Sequence, residues 1–162
     1  MKQITLQTFE IRKIKEALKN WEKEYIPPIN KHWTLRKCME HVEHKWLGMR
    51  MHVLRSYKLH IIGNSVCSNK HQSRLISPVT PHLKINSENC ALCVCSCEHC
   101  SWVESHCDYC PLSLFSKVGC SCTDEWLLFV NGDIRPMLRL IKKVKKYVSD
   151  RDLTWDTMKN FA

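Results

Sequence analysis

Ile11, Ile14, Leu18, Trp21 and Tyr25 recur in steps of three and four, so Thr8 to Tyr25 carries one helical stripe. Pro27-Pro28 ends that helix, because proline has no amide proton and its ring clashes with the preceding turn. Thr34 is placed to cap a second helix, with Leu35, Met39, Val42, Trp46, Met49, Val53 and Tyr57 as its apolar stripe. Two stripes joined by a short proline-bearing link predict an antiparallel helical hairpin over residues 1–57. The aromatic and Met residues on it read as core. His41, His44 and His52 fall off the stripe and are expected at the surface, although His41 and His44 have the spacing to share a metal.

From Lys58 to Asn89 the helical period is lost. Leu59–Ile62 and Arg74–Ile76 are short β-like runs, broken by Gly63-Asn64, Ser77-Pro78 and Thr80-Pro81. The stretch 58–89 therefore reads as a surface connection with room for a small hairpin. Cys67 and His71 stand at C-x3-H spacing, with no second pair of that kind beside them.

Beyond residue 122 the helical pattern returns. Thr123, Asp124 and Glu125 open a turn that runs to Phe129 and closes at Asn131-Gly132. Asp133 caps a last long helix, with Met137, Ile141, Val144 and Val148 as its apolar face. Arg135, Arg139, Lys142 and Lys146 form a basic line on another side, broadened by Lys143 and Lys145. Such a line can neutralise phosphates, or simply be solvated.

Composition adds a setting. The chain has 162 residues, 44% of them hydrophobic, enough for a packed core in one compact unit. No run of about 18 apolar residues offers a membrane span. The charged N-terminus lacks the apolar centre of a secretion signal, so a cytoplasmic location with reduced thiols is expected. The net charge of +9 is uneven: residues 1–89 carry +9, residues 90–125 carry −4 and residues 126–162 carry +4. Attraction to phosphate would come from the flanks.

The acidic centre holds the candidate chemistry. Nine of eleven cysteines fall between Cys90 and Cys122, as three C-x2-C pairs (Cys90/Cys93, Cys97/Cys100 and Cys107/Cys110) with Cys95, Cys120 and Cys122. Two C-x2-C turns can close a tetrahedral zinc shell, and Cys90, Cys93, Cys107 and Cys110 make the simplest one. The remaining thiols, with His99 and His106, could hold a second ion. The C-x-C steps also resemble thiolate-sharing clusters. The regular ferredoxin spacing is absent, although Cys110-Pro111 suits an iron–sulfur site. No βαβ context surrounds a thioredoxin-like pair.

Several of these segments resemble a group of small uncharacterised tailed-phage proteins. They are Leu18-Lys19-Asn20-Trp21-Glu22, Asn89-Cys90-Ala91-Leu92-Cys93, Cys107-Asp108-Tyr109-Cys110-Pro111-Leu112 and Gly119-Cys120, followed by a Met-bearing C-terminal helix. The resemblance covers about half the chain, residues 8–25 and 88–148. It implies a common metal core of Cys90, Cys93, Cys107 and Cys110, with Cys120 beside them. This chain departs from the group by an insertion over roughly 30–86 and by Cys95, Cys97, Cys100 and Cys122. The group supplies no activity to carry over.

Walker-type, G-x-S-x-G and HExxH motifs are missing, and the zinc-deaminase pattern is not met. The expected fold is mainly α, with an N-terminal hairpin (1–57), a connection (58–89), a small irregular or β zinc-knuckle module (90–122) and C-terminal helices (123–162). The expected function is non-enzymatic: zinc binding, with one or two ions, and nucleic-acid binding through the basic flanks. Neither a membrane nor a small-molecule substrate is expected as a partner. The alternative is a zinc-stabilised module that binds and inhibits or redirects a host protein, acting in host takeover or anti-defence in the host cytoplasm.

Overall fold

The computed structural model describes residues 8–68, 81–99, 110–116, 123–158 and 160. Helix α1 spans Thr8–Tyr25 and buries Ile14, Leu18 and Trp21, the middle of its predicted stripe. Helix α2 spans Leu35–Gly48, with the Thr34 hydroxyl accepting from the Lys37 amide at 3.3 Å as an N-cap. The contacts Pro27 to His41, Tyr25 to His44 and Trp21 to Gly48 step in opposite directions along the two helices. The hairpin is therefore antiparallel, and the earlier part of α1 reaches on to the sheet.

The predicted second helix does not continue to Tyr57. It stops at Gly48, Arg50 is extended, and a short α3 restarts over Met51–Ser56. Gly48 itself admits no larger side chain, since a Cβ would stand 2.2 Å from Cγ of the Tyr25 ring. Trp21 Nε1 donates to the Gly48 carbonyl at 2.9 Å, so the chain is clamped there from the α1 side.

Strands β1 (Leu59–Ile62), β2 (Ser65–Ser68) and β3 (His82–Lys84) form an antiparallel sheet in that order. Ile62 pairs with Ser65 across Gly63-Asn64, and Gly63 takes the positive φ of 56° that such a two-residue turn requires. The expected hairpin is present, but the segment is more than a surface connection. All four residues of β2 are buried, and α1 packs on β2 and β3. Arg74–Ile76 lies outside the described residues.

A 3-10 turn at Ser87–Asn89 leads into α4 (Ala91–His99), and α5 spans Pro111–Ser116. The described parts of the cysteine-rich segment are thus helical, where an irregular or β module was expected. Helix α6 (Asp124–Val130) starts on the Thr123 cap, whose hydroxyl accepts from the Trp126 amide at 3.1 Å. Helix α7 spans Arg135–Asp150 and α8 Trp155–Met158. Asp133 accepts from the Arg135 amide at 3.1 Å, so it fills the capping role although Ile134 stands between.

The core centres on α2, which packs on α7, α4 and α1. Trp46 on α2 meets the Phe129 ring edge-on at 4.7 Å, and Trp155 Nε1 donates to the Trp33 carbonyl at 2.9 Å. Each fully buried Leu, Ile or Phe here contributes about 1.5–3 kcal/mol. Among the described residues, no helix is long and apolar enough to cross a membrane. The architecture is mainly helical with one small antiparallel sheet.

Candidate metal centre and basic face

Cys90 occupies the N-terminus of α4, its carbonyl accepting the first helical bond from Val94 at 3.0 Å. Cys93 follows one turn later, and the two thiols hydrogen-bond each other. Burial opposes a thiolate at Cys90, yet its pKa is held below the ordinary thiol value. The Cys93 thiol is the main cause, helped by the Lys45 ammonium and the amides of Cys93 and Leu92. Lys45 is itself only 2% exposed. Its ammonium donates to both the backbone and side-chain oxygens of Asn89, at 2.8 and 2.5 Å. Asn89 in turn donates to the Lys84 carbonyl at 2.6 Å, tying β3 to the start of α4.

The other cysteines do not all face this point. Successive helical residues turn by about 100°, so Cys93 and Cys97 share one side of α4 while Cys95 points away. Cys97 is exposed and its thiol donates to the Cys93 carbonyl at 3.0 Å. Cys95 is fully buried, donates to the Asn30 carbonyl at 3.5 Å, and meets Cys38 of α2. Burial pushes both the Cys38 and Cys95 thiols up. Cys110 is buried at the start of α5. Cys100, Cys107, Cys120 and Cys122 lie outside the described residues, as do His71 and His106. Among the described residues, no three His, Cys, Asp or Glu side chains form a group able to hold a metal ion. What the structure brings together among them is the Cys90–Cys93 thiol pair.

Of the three histidines expected at the surface, His44 and His52 are exposed and His41 is not. His41 is buried, not superficial, and its Nε2 meets the Pro27 carbonyl at 3.0 Å. His44 is exposed and turns its Nε2 to the Glu24 carbonyl at 2.9 Å, so the two rings serve separate carbonyls. Cys67 is buried with its thiol pushed up to about 11 by desolvation, 3.8 Å from the His60 ring.

On α7 the predicted faces are in place. Met137, Ile141, Val144 and Val148 are buried, while Arg135, Arg139, Lys142, Lys143 and Lys146 are exposed. Arg135 grips Asp133 through two nitrogens at 2.8 and 2.9 Å, holding that carboxyl down at about 2. Lys146 lies 3.5 Å from Asp150, and the Lys143 ammonium sits 5.1 Å above the Phe115 ring of α5. Lys145 reaches Glu43 at 2.5 Å and pins α7 to α2. The Arg135–Asp133 and Lys146–Asp150 pairs are solvent-exposed and therefore weak. No protein-family model, curated protein or solved structure matches the chain.

Sequence reasoning missed Lys45, Asn89 and Cys38. A lysine one residue before Trp46 of the apolar stripe was the available signal, since a helix packed on several sides buries residues flanking its stripe.

Proposed function

We propose that this chain is a non-enzymatic, zinc-stabilised protein that binds nucleic acid through the exposed basic side of α7. The observation carrying this reading is that side itself. Five cations stand exposed on a helix whose opposite face is locked into the core, so they form a fixed array. In the same proposal Cys90 and Cys93 supply two zinc ligands, and Cys107 and Cys110 the other two. Cys97, Cys100, Cys120 and Cys122 are left for a second ion, and Cys95 belongs to the core. Zinc would hold α4 and α5 together and so support α7, against which α5 packs. The charge-relieving lysine beside Cys90 suits a thiolate site that adds negative charge to an acidic segment. A cytoplasmic setting keeps these thiols reduced.

The test reverses charge in Arg139→Glu, Lys142→Glu and Lys146→Glu together. Binding to nucleic acid should weaken, and the slope of log affinity against log salt should fall by about 0.7–0.9 for each phosphate no longer neutralised. Zinc content and melting temperature should hold, because all three side chains are exposed. Unchanged affinity and slope would sink the reading.

A second reading, binding to a host protein, is favoured by exposed apolar side chains. Met51 is 49% exposed on α3, and Leu127 and Leu128 are 53% and 45% exposed on α6. Met51→Asp or Leu127→Asp would then abolish a salt-insensitive protein complex that the α7 variants leave intact.

A further inference from the structure

Asn89, the residue before Cys90, is held from several sides. Its side-chain oxygen accepts from the Lys45 ammonium at 2.5 Å and from the Asn86 amide at 3.2 Å. Its backbone oxygen accepts from Lys45 at 2.8 Å, and its side-chain amide donates to the Lys84 carbonyl. The backbone leading into Cys90 is thus fixed to β3 and to α2 at once. The bond from the Val94 amide to the Cys90 carbonyl fixes it from the helix side.

On that fixed base stand two thiols in hydrogen-bond contact, Cys90 and Cys93. Residues three apart at the start of a helix have Cα atoms about 5 Å apart, inside the range of about 4.4–6.8 Å that a disulfide spans. The two sulfurs differ in access: Cys90 is 9% exposed, whereas Cys93 is half-buried. A second pair of thiols in contact, Cys38 and Cys95, is enclosed on both sides, each residue being 0% exposed. Of these two pairs, the one at the start of α4 is the one that offers a sulfur to solvent.

We infer that Cys90 and Cys93 form a reversible disulfide by exchange with a small-molecule disulfide of the glutathione type. The Cys93 thiolate attacks one sulfur of the oxidised glutathione, which gives a Cys93–glutathione disulfide and releases one glutathione thiolate. The Cys90 thiolate then attacks the Cys93 sulfur, closes the protein disulfide and releases the second glutathione. Two electrons pass from the protein to glutathione, and the two thiol protons end on the two glutathione thiols. Because the backbone holds Cys90 beside Cys93, closure is intramolecular and outruns build-up of the mixed disulfide. The exchange needs a helix start and two sulfurs within reach, and no βαβ unit around them. The inference stands on the thiol pair alone, while its consequence for an ion rests on the zinc reading. A sulfur in a disulfide is no longer the thiolate that binds zinc, so closing the pair removes two ligands.

The experiment incubates the full reduced chain with oxidised glutathione, quenches it with a maleimide and maps the cysteines by peptide mass. Zinc is measured on the protein before and after. Cys90 and Cys93 should together lose two hydrogens, and dithiothreitol should restore them. Cys38 and Cys95 should remain thiols throughout. Cys97→Ser, which removes the exposed thiol one turn further along α4, should close the same disulfide to the same extent. A stable glutathione adduct on Cys93, a disulfide from either cysteine to a different one, or two unreacted thiols would overturn the inference, as would lost closure in Cys97→Ser. Zinc retained beside two unreacted thiols overturns the disulfide and leaves the zinc reading standing. Closure with zinc retained upholds the disulfide and takes the pair out of the zinc shell. If the starting protein holds no zinc, the zinc reading falls and the masses still decide the disulfide.

Discussion

A lysine with 2% of its surface exposed must find acceptors, and Lys45 finds both oxygens of Asn89. The same demand explains the neighbouring histidine, where one nitrogen is satisfied and the other is not. His41 is buried and its pKa lies below the ordinary histidine value, mainly through desolvation, with the Lys45 charge adding to it. The unfolded chain then binds a proton that the folded chain refuses. Stability contributed by His41 is complete above about pH 6.5 and declines as pH falls toward the lowered folded value. His41→Gln removes that titration and should cost about 1 kcal/mol at neutral pH through the disturbed Pro27 hydrogen bond. Urea midpoints measured at about pH 7.5 and about pH 5.5 should therefore differ less in the variant than in the wild type. An equal or larger drop in the variant would place the acid sensitivity elsewhere. None of this was legible from the stripe on α2. The helix is enclosed by α1, α4 and α7, so Cys38, His41 and Lys45 are buried beside the apolar residues that periodicity picks out.

Elements with a single buried face were the ones the pattern located well. Helix α1 and helix α7 run where their stripes place them, and the caps at Thr34, Thr123 and Asp133 mark starts correctly. The sheet was harder. Ser65-Val66-Cys67-Ser68 has no alternation because all four residues are enclosed, and two serines disguise a buried strand. The break after α2 was hidden for another reason: Met49, Val53 and Tyr57 keep a helical period across it, and the close approach of Tyr25 to Gly48 shows only in three dimensions. With Cβ 2.2 Å from Cγ and 2.6 Å from Cβ of Tyr25, a larger residue must move the α1 backbone or the ring root. Gly48→Ala should therefore destabilise the fold by about 1–3 kcal/mol, despite alanine's better helix propensity. Thermal unfolding checks it, and a gain in melting temperature would show that the α1–α2 contact is looser than described. Tyr25 also stacks on His44 at 5.1 Å, so the same substitution should disturb that imidazole in NMR spectra.

At the scale of the molecule, the described parts of the cysteine-rich segment belong to the core instead of forming an appendage to it. Cys90, Ala91, Leu92, Cys95, Cys110 and Leu112 are buried together with residues of α1, α2 and α7. Cysteine spacing announced the segment and could not sort its thiols, because spacing carries no information about which side of α4 each one faces. The structure separates two kinds. Cys90 has hydrogen-bond donors and a cation that favour the thiolate, as a metal ligand needs, whereas Cys95 is pushed toward the neutral thiol among core atoms. The two should respond differently to mutation. Reduced protein purified without added metal should carry at least one zinc per chain. Cys90→Ser should lose that zinc and unfold early, since metal binding in such a module is coupled to folding. Cys95→Ala should keep it, while costing about 1–2 kcal/mol for the small cavity and the broken hydrogen bonds to Cys38 and Asn30. Elemental analysis beside a urea melt reads both quantities on one sample. Full zinc in Cys90→Ser would remove Cys90 from the shell, and zinc missing from both variants would return Cys95 to it. The difference between them follows from a helix whose cysteines face different ways: in the proposed reading the Cys90–Cys93 side would meet an ion, while Cys95 packs against Cys38.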